Sequence, residues 1–217
     1  IKGSFVYSKP NFAYTDNTLF TSLTSTSTDN LSDFGYKVSE LGFSVGTEFE
    51  QYENLFFSPS LRTSLEDLET NSNASSNLKK QEGNYSDLYF DYGLNYDKRN
   101  SNYRPSAGNQ TRFYQEIPVV SDSRELSNTF IFDQYKKLSN SSDMIGKASL
   151  YLKSINSIDS DSDVRISNRG FIPYKRLRGF AKGKIGPVSN GDYIGGNYVS
   201  AINLSSNLPF ILPTVEA

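Results

Sequence analysis

The chain has 217 residues, a formal net charge of −2, and neither cysteine nor histidine. These absences exclude a disulfide framework, thiolate metal sites and any catalysis or metal binding by histidine. The near-neutral charge gives no support for nucleic-acid binding, and the lack of any run of about 18 apolar residues excludes a transmembrane helix. No metal or cofactor is predicted.

Stretches in which apolar and polar residues alternate run through the chain, separated by clusters of Ser, Asn, Asp and Gly. In 41–50, for example, Leu41, Phe43 and Val45 share one face, and Glu48 lies on the other. Alternation at period two is typical of a strand with one apolar and one polar face. The sequence predicts nine such strands and no helix of useful length; the strands are placed at about 1–13, 17–29, 35–52, 54–69, 83–99, 108–118, 124–138, 145–157 and 196–208.

The connections between these strands alternate in length. The links at 16–17 and 53–54 are short enough for tight turns, whereas 70–82 and 158–195 are long. Long connections at one end of a sheet and tight turns at the other are typical of outer-membrane barrels. We therefore expect the long segments to lie on the outer side of a membrane.

The composition agrees with this arrangement. Hydrophobic residues make up 36% of the chain and aromatic residues 14%, a combination expected of an apolar wall with a polar interior and aromatic girdles. The predicted fold class is all-β, an antiparallel meander that forms part of a transmembrane β-barrel, within one domain, 1–217. The carboxylates of Asp87 and Asp91 share a face and are expected to be solvated in the interior. The alternative from pattern alone is a soluble β-sandwich.

The connection 158–195 also carries a motif. This motif is a more specific signal of function than the length of the connection. A basic tip with an aromatic residue and glycines suits insertion into an acidic barrel interior, because a guanidinium stays charged when partly buried. In this order and setting the motif resembles the conserved loop of the BamA family. The residues that carry the resemblance are Arg178, Gly179, Phe180, Gly186 and Pro187, followed by Gly195, Gly196 and Asn197 at the return to the last strand.

The resemblance implies a bacterial outer-membrane protein that assembles or inserts other barrels and is not an enzyme. In that family the loop folds back into the barrel, so Arg178 would anchor it, Gly179 would make the turn and Phe180 would pack the tip. The inward position that would meet the loop is occupied here by Asn203, an amide where the family has an acid.

The resemblance also implies partners and boundaries. The partners would be unfolded outer-membrane clients, the lipid bilayer with lipopolysaccharide, and accessory assembly lipoproteins that act through periplasmic POTRA domains. The chain would correspond to about the fourth to twelfth strands of a sixteen-stranded barrel. It is thus expected to be incomplete at both ends, without the POTRA domains or the gate strands with which client strands pair.

Three other functions remain open at this point. A two-partner-secretion transporter of the same superfamily would carry the same loop motif but export a polypeptide. An outer-membrane enzyme is a further alternative, although the absence of histidine argues against Ser-His chemistry. A simple porin would not need the motif around Arg178.

Overall fold

The computed structural model describes residues 1–32, 34–139, 144–159, 162–181, 183–189 and 191–207. Leu208, which the sequence assigns to the last strand, lies outside the described residues. Nine long strands of the described chain form one antiparallel sheet in which neighbours in sequence are neighbours in space. They are β1 Lys2–Lys9, β2 Thr18–Asn30, β3 Tyr36–Tyr52, β4 Leu55–Thr70, β5 Gly83–Asp97, β6 Gly108–Val120, β7 Glu125–Lys137, β8 Ile145–Ser157 and, after two short strands, β11 Tyr198–Ser206.

The sheet confirms the predicted all-β meander, and every predicted strand is present with ends shifted by a few residues. Two strands of two residues each were not predicted; these are β9 Val188–Ser189 and β10 Asp192–Tyr193, which pair only with each other. Over the described residues β1 and β11 do not pair, so the sheet is a curved wall that is not closed.

Within the ranges that the structure describes, helical structure is limited to short turns. They are the helix α1 Ser76–Lys79 and two 3₁₀ turns, Phe12–Tyr14 and Tyr174–Arg176. Among the described residues no helix has the length and apolar character needed to cross a membrane.

The two faces of the sheet differ as the alternation predicts. On the outward face Leu41 and Phe43 are each 48% exposed and Val45 is 38% exposed. A second layer packed on this face would bury these side chains, so the described residues do not form the β-sandwich that the sequence left open. The outward face is apolar and uncovered, as a lipid-facing wall requires.

Aromatic rings cross the outward face from strand to strand. Phe49, Phe57, Tyr92 and Phe113 lie on β3 to β6, and successive ring centroids are 5.7, 6.0 and 6.1 Å apart. These separations, with one edge-on and two tilted geometries, are favourable for aromatic pairs. The row adds to the apolar character of the outward face, as a lipid-facing wall requires.

One row of the outward face is polar. The Tyr92 hydroxyl donates to Gln115 Oε1 at 2.9 Å, Gln115 Nε2 donates to Asn128 Oδ1 at 2.6 Å, and Asn128 Nδ2 donates to Ser154 Oγ at 3.4 Å. These four side chains connect β5, β6, β7 and β8 in what we call the outward polar row. Because each member bonds to its neighbour, the cost of exposing amides to hydrocarbon is reduced.

The inward face carries ion pairs between neighbouring strands. Arg62 on β4 contacts Asp91 on β5 at 2.7 Å and Glu116 on β6 at 3.0 Å. A second set joins β6, β7 and β8, where Asp133 lies 2.8 Å from Arg112 and 3.1 Å from Lys147. The charged residues that the alternation assigned to the interior are therefore largely paired with one another.

An apolar cluster covers the inward face at the end of the sheet where the connections 71–82 and 158–197 lie, the long-loop end. Its buried members come from two strands, three connections and α1: Phe34, Tyr36, Leu68, Ala74, Leu78 and Ile166. Ile166 belongs to the 158–197 connection and is 1% exposed. The cluster therefore fixes part of this connection against the sheet.

Candidate functional site

The connection between β8 and β11, residues 158–197 and called here the long segment, turns back onto the inward face of the sheet. Val164, Arg165 and Ile166 are exposed by only 0%, 3% and 1%. A connection normally lies over the surface, because its backbone polar groups need partners. In the long segment, backbone groups bond to inward side chains of the sheet. The long segment is therefore the candidate functional site of the described chain.

Arg165 is the centre of the contact between the long segment and the wall. Its Nη2 atom lies 2.6 Å from Asp87 Oδ2 on β5, and its Nε lies 3.6 Å from Glu66 Oε1 on β4. Its backbone N–H donates to Glu125 Oε1 on β7 at 2.6 Å. The guanidinium also lies 4.2 Å above the ring of Tyr85, a distance suited to a cation–π contact.

The guanidinium of Arg165 stays charged although it is buried. Desolvation lowers the pKa of Arg165, but the negative charges of Glu66 and Asp87 outweigh it, so the pKa lies above its ordinary value. Arg165 therefore places a positive charge between Glu66 and Asp87 within the interior.

Neighbouring residues of the long segment complete the bonding of the same carboxylates. Ser167 Oγ donates to Glu66 Oε1 at 2.7 Å, and Asn168 Nδ2 donates to Glu125 Oε2 at 2.7 Å. The expectation that Asp87 is solvated is wrong, because this residue is 2% exposed and is enclosed by Arg165 and the hydroxyl of Ser121. Alternation showed which face Asp87 takes but could not show that a distant segment covers it.

A polar cavity of about 350 Å³ lies between the long segment and the wall. Its charged lining contains both signs, with Glu40 and Glu116 as well as Arg62 and Lys153. A lining of this kind suits water or polar chain and disfavours an apolar ligand. Among the described residues no group of three or more acidic side chains is arranged to hold a metal ion.

Arg176 makes a second contact with the wall, next to the predicted motif. It ends the 3₁₀ turn Tyr174–Arg176, and its Nη1 donates to Ser149 Oγ on β8 at 2.9 Å. Its guanidinium lies 4.7 Å above the Tyr151 ring, and its carbonyl oxygen accepts a hydrogen bond of 2.5 Å from Asn203 Nδ2 on β11. Asn203 thus contacts the long segment through the backbone of Arg176.

The predicted tip lies beyond this contact. Arg178 is exposed and has no hydrogen bond or ion pair with the described residues. Gly179 has a φ of +90°, a conformation that suits glycine and produces the expected reversal. Phe180 is 61% exposed and borders a small apolar hollow with Leu177 and Ile185. The tip therefore closes on itself and does not reach the inward acids.

The predicted return to the last strand brings two distant parts of the long segment together. The N–H of Gly196 donates to the carbonyl of Gly170, and that of Gly170 donates to the carbonyl of Gly196, both at 2.9 Å. The carbonyl of Asn197 accepts from the N–H of Ile155, which joins the return to β8. Gly186 and Gly195 have positive φ, and the carbonyl of Pro187 accepts from Ile194 at 3.0 Å.

The long segment contains a second Arg-Gly-Phe, at 169–171, which was not predicted as a motif. Arg169 bonds to Asp163 and to the carbonyl of Val164, and Phe171 lies 5.9 Å from the ring of Phe34. The same three residues thus occur once packed against the wall and once at an exposed tip. Nothing in the local spacing marked Arg165 or Arg176, since their partners lie far away in sequence.

The wall, its apolar outward face and the segment folded onto its inward face define a barrel protein of the outer membrane. The Omp85 superfamily domain matches residues 2–215, and the chain belongs to the Omp85 superfamily. It is an Omp85-type outer-membrane protein.

The fold is that of a BamA-type barrel domain. The structure is similar to the crystal structure of BamA from Haemophilus ducreyi lacking POTRA domains 1-3, with a TM-score of 0.81 and 22% sequence identity. The match covers 97% of this chain and 46% of that one, so the chain spans about half the length of the solved structure. No curated protein matches the chain.

Proposed function

We propose that this chain is the barrel portion of a factor that assembles or inserts outer-membrane proteins without enzymatic chemistry. The observation that carries the proposal is the long segment, which lies against the inward face and carries the exposed tip Arg178, Gly179 and Phe180. A simple porin would not need the motif around Arg178. Membership of the Omp85 superfamily and the BamA-type fold support the same role.

The proposed partners follow from this role. The clients are unfolded outer-membrane proteins, and the surroundings are the lipid bilayer and lipopolysaccharide at the bacterial outer membrane. Accessory lipoproteins act through periplasmic POTRA domains outside residues 1–217. The tip motif contributes by bracing the barrel interior, with Arg178 free to bind an acidic group that the described residues do not supply.

The test is Arg178→Ala in the full-length protein, expressed as the sole copy in cells. We expect a severalfold fall in the steady-state amounts of other outer-membrane barrels, because the brace loses its cation. Arg104→Ala is the matched control, since Arg104 is an exposed arginine in the connection between β5 and β6. Unchanged barrel levels in Arg178→Ala would overturn the role of the tip, and loss of one secreted polypeptide alone would favour a two-partner-secretion transporter.

A further inference from the structure

We propose that Arg165 is the residue that fastens the long segment to the barrel wall, independently of the tip motif around Arg178. Its guanidinium and backbone bind acidic side chains of three strands: Glu66 of β4, Asp87 of β5 and Glu125 of β7. This proposal concerns how the segment is held, and it stands whether or not the protein assembles other barrels.

The first argument is the burial of the charges. The side chains of Arg165 and Asp87 are exposed by 3% and 1%, and that of Glu66 by 7%. A buried charge is tolerated only beside an opposite charge, and removal of one partner leaves the others uncompensated. If Arg165 left the wall, Asp87 and Glu66 would face each other with no described cation in the place of its guanidinium. The cluster therefore strongly disfavours any state in which the segment has moved away.

The second argument is the position of Arg165 between two anchored apolar residues. Val164 and Ile166 are essentially fully buried, and the N–H of Ile166 donates to Gln81 Oε1 at 2.7 Å. Because the flanking residues are fixed, the guanidinium is held in a single place and loses little further freedom when it binds. The ion cluster and the apolar cluster thus fix the same short stretch, 164–168.

The third argument is the contrast with the tip. Arg178 is exposed and has no described partner, whereas Arg165 has partners on three strands. Arg176 contacts β8 and β11 at a second place, but it is only partly buried. Of these three arginines, Arg165 makes the contact that is deepest and reaches the most strands, so its loss should release the stretch 164–168.

The test uses the absence of cysteine from the chain, which allows a single reporter thiol. Val164→Cys places that thiol beside Arg165 at a fully buried position, in the full-length protein folded in detergent micelles, with any cysteine outside residues 1–217 replaced by serine. With Arg165 present we expect slow labelling by a polar maleimide. In the Arg165→Gln background we expect labelling to be about tenfold faster, because local opening exposes the thiol more often.

Two further variants separate the ion cluster from simple loss of packing. Asp87→Asn should also speed labelling, but adding it to Arg165→Gln should slow labelling relative to Arg165→Gln alone, because the double variant no longer buries an uncompensated Asp87 carboxylate beside Glu66. Arg165→Lys should give an intermediate rate, since an ammonium keeps the charge but cannot reproduce the fork of a guanidinium. If Arg165→Gln does not fold, the labelling rates of Arg165→Lys and Asp87→Asn still test the proposal.

The control is Arg178→Gln, which should leave the labelling rate at its parent value. A difference in mobility between unheated and heated samples in SDS gel electrophoresis should verify that each variant carries a folded barrel. An unchanged rate in Arg165→Gln, or equal acceleration by Arg178→Gln, would overturn the proposal. Neither result bears on client insertion. The proposed assembly function is tested separately, by the steady-state amounts of other outer-membrane barrels in cells with Arg178→Ala.

Discussion

At the scale of single residues, the chemistry of the long segment begins with an exposed ion pair at its first bend. Arg124 Nε donates to Asp159 Oδ1 at 2.9 Å, and the carbonyl of Arg124 accepts from the N–H of Ile158 at 2.8 Å. The hydrogen bond from Arg124 lowers the pKa of Asp159 below the ordinary value of 3.8. This contact ties the start of the long segment to the connection between β6 and β7.

The sign of this shift predicts a response to pH. A carboxylate with a lowered pKa contributes stability above its ordinary value, and that contribution is lost as the pH falls through the lowered pKa. We expect the carboxyl carbon of Asp159, followed by NMR in protein labelled at aspartate, to titrate below 3.8. In Arg124→Gln the midpoint should rise towards the ordinary value. Equal midpoints in the two proteins would show that Arg124 does not cause the shift.

Single residues also show where sequence reasoning ends. The reversal at Gly179 could be predicted, because a glycine between a basic and an aromatic residue is a local signal. The importance of Arg165 could not, because its partner Asp87 lies 78 residues away and no spacing rule links the two. The position of Asn203 was predicted beside the loop, but the bond to the backbone of Arg176 depends on a turn that the sequence does not mark.

At the scale of the elements, the strands could be predicted almost in full. Each one depends on an alternation of period two within about ten residues, which is local information. The two-residue strands β9 and β10 were missed because two residues cannot show a period. The pairing of inward charges, such as Asp133 with Arg112 and Lys147, needs the register between three strands and is visible only in the folded sheet.

The set around Asp133 gives a prediction for these strands. Its side chain is 4% exposed and lies between two cations of β6 and β8. Asp133→Asn keeps the shape but removes the charge, and should lower the free energy of unfolding by about 1–3 kcal/mol. Urea titration of the full-length protein in lipid vesicles measures the change. Asp16→Asn, at an exposed position in the connection between β1 and β2, is the control and should unfold as the parent does; a shared midpoint for both variants would contradict the role of Asp133.

At the scale of the whole molecule, the sheet separates a lipid side from an interior, and the same substitution at two adjacent residues of one strand should therefore destabilise the protein to different degrees. Phe113 lies in the aromatic row of the outward face, and Tyr114 points inward. Phe113→Arg should destabilise the folded protein in vesicles by about 2–4 kcal/mol, the cost of an arginine facing the bilayer. Tyr114→Arg should lower the free energy of unfolding much less, because the new guanidinium can remain among the polar groups of the interior. Similar losses for both variants in a urea titration would contradict the assignment of the two faces.

The outward polar row has a consequence for how this surface can vary. Gln115 accepts from Tyr92 and donates to Asn128, so replacing it by leucine would leave the Tyr92 hydroxyl without its acceptor and Asn128 Oδ1 without its donor in hydrocarbon. Replacing the row together would remove that penalty, because no member would then need another. Among natural homologues the residues at these four positions should change together and be either all hydrogen-bonding or all apolar. A survey of co-variation at the four positions would test this expectation.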